Sequence, residues 1–194
     1  MKTVSLGVRS KTGRAIAVAL TAGKSVPEFI GRWDILLHDP KILATGQPHH
    51  QVMELPWPKA QRAVRSFERR IEKITAAALA GLIRELGEQG FEISAVGVVG
   101  SPDRNLEKIG NFHIRAHAAE GILFRRVIET AAEKLKLHWR GFSDRDILQM
   151  AAAELKLPEE KLKNILTAIG RTAGPPWRLD ERAAAMAAWI ALRK

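Results

Sequence analysis

The stretch Glu92-Ile-Ser-Ala-Val-Gly-Val-Val-Gly100 decides the fold. From Ile93 to Gly100 it carries no charge and is rich in valine. Successive side chains in a strand point to opposite faces, so a run that is apolar at both parities predicts a strand covered by helices on both sides. Directly beyond it lies the polar loop Ser101-Pro-Asp-Arg-Asn105. Open α/β sheets gather ligands past the carboxyl ends of such strands, so fold and candidate site both start here.

Before this strand, Val64, Phe67, Ile71, Ile74, Ala78 and Leu82 recur at spacings of three and four. That period predicts one long helix from Lys59 to about Gly87, with Pro58 suited to its first turn. Arg62, Arg65, Arg69, Arg70 and Lys73 alternate with Glu68 and Glu72 on its outer face. Pairs at these spacings stabilise a helix by roughly 0.2–0.5 kcal/mol each, so a solvated face is the ordinary explanation. Further upstream, Thr3 to Val8, Arg14 to Leu20 and Phe29 to Leu37 read as three strands. Lys11-Thr12-Gly13 makes a tight turn between the first two, and the three form an antiparallel meander. Lys41 to Pro58 is irregular and contains His49-His50, which an exposed polar loop explains without a ligand.

After the strand, Ala116, Ala119, Leu123, Val127 and Ala131 predict a helix from Phe112 to Lys136, then a short strand at His138–Arg140. Ser143-Asp-Arg-Asp146 has the pattern of a capping box with Asp at the fourth place, opening a helix to Leu155. Pro158-Glu-Glu160 opens another helix, and an alanine-rich helix from Leu179 to Leu192 closes the chain. The fold class is therefore α/β, in a single domain of residues 1–194.

The formal net charge is +10, which points first to a polyanionic partner, with nucleic acid the leading candidate, or else to a solvated basic surface. Absence of cysteine excludes disulfide frameworks and Cys-ligated metals. The longest early apolar run, Ala15 to Leu20, is too short for a signal or a membrane span. A cytoplasmic protein with no membrane association is expected.

The order of three antiparallel strands, long helix, central strand, helix, short strand and helices resembles the ribonuclease H-like superfamily, and within it the RuvC-type Holliday-junction resolvases. The segments His117-Ala-Ala-Glu-Gly121, Asp144 to Leu157 and Asp180-Glu-Arg-Ala-Ala-Ala-Met-Ala187 carry the likeness. It implies a mixed sheet of three antiparallel strands followed by parallel ones, flanked by helices. It also implies carboxylates on the first strand, at the end of the fourth, and as a pair one turn apart in the last helix. Those carboxylates hold two divalent ions that activate water against a phosphodiester. This sequence departs from that set. Arg9 stands in the first acid's place, Ile93 to Ser101 offers no carboxylate, and Asp180 is followed three residues later by Ala183.

A rebuilt site would draw on Asp180 and Asp103 around one Mg2+ or Mn2+, with Glu120, Glu181 and His117 as further catalytic groups. Each has an ordinary alternative. Asp103 follows Pro in a turn. Asp180 and Glu181 suit a helix dipole. Glu120, near an apolar stripe, calls for an arginine partner. His113 and His117 share a helix face at a spacing that metals use, but also one compatible with capping and surface roles. Arg9, Ser10, Lys11, Arg104 and Arg115 are the expected phosphate contacts. The leading reading is a nucleic-acid-binding protein, with DNA and branched DNA foremost, whose carboxylate set is degenerate. The alternatives are a non-nuclease enzyme acting on a phosphorylated small molecule, or a structural homodimer joined through the alanine-rich helix.

Overall fold

The computed structural model describes residues 1–193. Five strands, β1 (Lys2–Lys11), β2 (Arg14–Thr21), β3 (Glu28–Leu36), β4 (Phe91–Gly100) and β5 (His138–Ser143), form one sheet in the order β3-β2-β1-β4-β5. β1 pairs antiparallel with β2, and β2 with β3; β4 lies parallel to β1 and to β5. The mixed sheet is as expected. Gly13, at a φ of +74°, supplies the left-handed conformation that the β1–β2 turn requires.

Among the described residues there are five α-helices: α1 (Trp57–Glu88), α2 (Phe112–Lys134), α3 (Ile147–Leu155), α4 (Glu159–Ala173) and α5 (Leu179–Leu192). α1 and α2 pack together on one face of the sheet, and α5, with α3 and α4, on the other. The strands divide their side chains accordingly. Leu6, Val8, Ala15, Ala17, Ala19, Val96 and Val98 join Phe124 and Ile128 in one core, while Val18, Leu20 and Val99 join the alanines of α5 in the other. Each fully buried large side chain contributes about 1.5–3 kcal/mol. This double coverage is what the uncharged run in β4 predicts.

α5 approaches the sheet unusually closely because its buried face is mostly alanine. The Ser5 hydroxyl donates to the Ala188 carbonyl. A Cβ on Gly7 would collide with the Ala184 carbonyl oxygen, so only glycine fits there.

Several local expectations change. β5 runs on to Ser143, so Ser143 is a strand residue and no capping box forms; its hydroxyl accepts from the Arg145 N–H, and Asp146 precedes α3 without a side-chain cap. The alanine-rich face is consumed inside the chain, with Ala183 to Ala191 buried, so it is not available as a dimer surface. The segment 41–56 contains two short 3-10 turns, Leu43–Thr45 and His50–Val52, and His49 is buried rather than exposed.

Candidate functional site

At the carboxyl ends of β1, β4 and β5 lies a compact ion cluster. Arg9 projects from β1, where it pairs with Val99 of β4. Its Nη2 donates to Asp144 Oδ2 at 3.0 Å and its Nε to Asp180 Oδ1 at 3.3 Å. Lys11 Nζ lies 3.2 Å from Asp180 Oδ2. Asp144 follows β5 directly, and Asp180 stands in the first turn of α5. Two cations therefore face two carboxylates, and the charges cancel. Sequence reasoning alone misses Asp144 as a site residue; its place at the end of a parallel strand is the available signal. Ser10 is buried and faces Gly100 rather than solvent.

The loop after β4 forms a second cluster. Asp103 Oδ1 accepts from Arg125 Nη2 at 2.7 Å and from Arg126 Nη2 at 3.0 Å. Slight burial works to raise its pKa, but the two guanidinium groups outweigh that and hold it below the usual carboxylate range. Arg125 also donates to Glu129 at 2.8 Å. Burial pushes Glu129 up despite Arg125. Arg104 stays exposed.

Between α1 and α2 opens a cleft of about 480 Å³, lined by Trp57, Gln61, Arg62, Arg65, Glu68 and Arg126 among others. Leu106, just past the β4 loop, closes one side, so Arg126 belongs to both the cleft and the Asp103 cluster. Burial and neighbouring Glu72 raise the Glu68 pKa, with Arg65 opposing. Arg115 is nearly buried, its guanidinium over the rings of Trp57 and Phe112 at 5.4 and 5.1 Å, so it is not presented to a ligand.

Glu120 is fully buried, and its partner is a histidine rather than an arginine. Oε1 accepts from the His50 backbone N–H at 3.2 Å and lies 2.8 Å from His50 Nδ1. His113 and His117 stand beside His50, their Nε2 atoms 3.0 Å apart. Glu181 is buried as well, with Oε2 accepting from the Arg178 N–H at 2.7 Å at the start of α5. Burial, followed by the charge of His50, lowers the pKa of His49 to about 4, so it stays neutral.

No protein-family model matches this sequence, and no curated protein matches it. Among solved structures, Thermus thermophilus RuvC in complex with a Holliday junction substrate aligns over 96% of this chain and 91% of its own, at 10% identity and a TM-score of 0.51. The chain has a RuvC-type, ribonuclease H-like fold. A second Thermus thermophilus RuvC structure aligns over 96% and 92% of the two chains at 11% identity and a TM-score of 0.49. A Ppx/GppA family member from Aquifex aeolicus covers 78% of this chain and 39% of its own, with 11% identity and a TM-score of 0.36.

Within this RuvC-type frame the residues at the strand ends do not fit a pair of Mg2+ or Mn2+ ions. Hard divalent cations need free carboxylate oxygens, and here both carboxylates bind cationic side chains, with a guanidinium bridging them. An added ion would meet Arg9 and Lys11 at close range in a partly desolvated place, where like charges repel strongly. Asp103 and Asp180 are held by separate sets of basic residues, Asp103 by Arg125 and Arg126, Asp180 by Arg9 and Lys11.

Proposed function

We propose that this protein binds nucleic acid on its RuvC-type scaffold without two-metal cleavage at the strand ends. The observation that carries the reading is Arg9 bridging Asp144 and Asp180, which fills with a guanidinium the place the family resemblance assigns to cations. Binding then falls to basic groups outside that cluster. Arg62 and Arg65 line the α1–α2 cleft and have no carboxylate within ion-pair distance among the described residues. Arg126 lines the same cleft, and Arg104 in the loop after β4 is exposed. The net charge of +10 supplies the long-range attraction. Asp103, in this reading, positions the exposed Arg126 for phosphate rather than holding a metal.

The test is fluorescence anisotropy with branched, duplex and single-stranded DNA at two salt concentrations, with parallel incubations in Mg2+ and Mn2+. The expected result is tight, steeply salt-dependent binding that favours the branch, with no cleavage. Absence of binding at low salt overturns the reading. So does cleavage that disappears in Asp180→Ala, since the carboxylates would then be catalytic despite Arg9. A phosphorylated small molecule is the second reading, because a cleft of about 480 Å³ has the size of a small-ligand site. A melting shift with nucleotides that DNA does not reproduce would decide for it.

A further inference from the structure

We infer that His50, His113 and His117 form a Zn2+ site with a solvent-facing fourth position, supported by Glu120. Among the described residues these three are the group of metal-ligating side chains whose ligand atoms all lie within 4.8 Å of one another. His113 and His117 are four apart on α2 and therefore share a face, and their Nε2 atoms stand 3.0 Å apart. Tetrahedral Zn2+ with bonds of about 2.0–2.1 Å requires nitrogens roughly 3.3 Å apart. The helical pair is thus already near that spacing, and small ring rotations suffice for the third.

Glu120 supplies the independent observation. It is fully buried, Oε1 takes both the backbone and the ring Nδ1 hydrogen bonds of His50, and Oε2 has no partner. A buried carboxylate is expensive unless positive charge stands near it. Here no lysine or arginine pairs with it among the described residues. When His50 Nδ1–H donates to Glu120, its Nε2 is left as a lone-pair donor on a ring whose centroid lies 5.1 and 4.4 Å from those of His113 and His117. This is the carboxylate–histidine–metal relay, in which the carboxylate fixes the tautomer and the metal supplies the charge that offsets it. Three imidazoles without thiolate or carboxylate in direct contact suit Zn2+ among common cellular ions. His113 and His117 are exposed, so the fourth position opens to water. Filled, the site would clip the segment around His50 to the first turns of α2.

Chelator-treated full-length protein is titrated with Zn2+ against a chromophoric competitor, and separately with Co2+ while visible absorption is recorded. One equivalent should bind, the Co2+ protein should show four-coordinate bands, and the melting temperature should rise. His117→Ala and His50→Ala should each abolish this. Glu120→Gln should weaken affinity about 10–100-fold as a positioning residue, while His138→Ala, an exposed histidine elsewhere, should not matter. Substoichiometric or unsaturable uptake overturns the inference, as does binding that survives His117→Ala. Because His113 and His117 are at the surface, their variants remain informative even if Glu120→Gln disturbs the fold. The outcome is independent of whether the protein binds nucleic acid.

Discussion

Arg9 is tied to carboxylates 135 and 171 residues further along the chain. Its side chain is mostly buried, so truncation leaves Asp144 and half of Asp180's interactions uncompensated. Arg9→Ala is expected to lower stability by about 1–3 kcal/mol, read from the urea midpoint at unchanged slope. Arg9→Asp changes the sign of the local field and places a third carboxylate beside Asp144 and Asp180. That variant should acquire a Mg2+- or Mn2+-dependent rise in melting temperature that the parent lacks. An identical ion response in parent and variant would mean that Arg9 is not what keeps divalent ions out. Gly7-Val-Arg9-Ser10 shows Arg9 on the first strand. That the guanidinium would be gripped by Asp144 was not, because it depends on where β5 ends.

At the scale of elements, α5 and α1 give separate predictions. α5 lies against β1 so tightly that a methyl group at residue 7 meets the Ala184 backbone, which cannot move aside as a side chain can. Gly7→Ala should therefore destabilise at or above the upper end of the roughly 1–3 kcal/mol typical of overpacking, measured by chemical denaturation. On α1, Glu68 has a raised pKa because burial, then Glu72, disfavour its charge. The folded state therefore holds its proton more firmly than the unfolded state, and stability falls as pH rises from about 4.5 through the raised value. Glu68→Gln should raise the melting temperature at pH 7, with the gain closing below about pH 4.5. A gain that persists unchanged at pH 3.5 would refute a protonation origin. The helices and their faces were legible from periodicity. The capping pattern at Ser143-Asp-Arg-Asp146 misled because pairing with β4 drew Ser143 into the sheet, and Gly100 is its partner there.

For the whole molecule, the basic excess is the property that reaches furthest from the surface. Much of it is neutralised locally, as at Arg9, Arg125 and Arg140, the last bound to Glu154. Arg62 and Arg65, in contrast, remain available in the cleft. Removing both with Ala should weaken DNA binding across all sequences and reduce the salt slope by about 1 for each phosphate that is no longer neutralised. Arg140→Ala, in a paired position, should leave the slope nearly unchanged. Equal effects of the two changes would place the binding surface elsewhere.

Local pattern alone determined the strand meander, the doubly covered β4 and the identity of the long helices, because periods of two and 3.6 are properties of adjacent residues. It also shows Arg9 on the first strand and Ala183 three residues after Asp180, which are read directly. Only the tertiary structure decided what those residues touch. Glu120 and His50 are separated by 70 residues and meet because the irregular segment folds back over the start of α2. The same holds for the alanine-rich helix, whose composition fits either a dimer face or an internal one. Burial against β1, β2 and β4 settles it as internal. Side-chain partners across long sequence separations follow from how layers stack, and no short-range period records that.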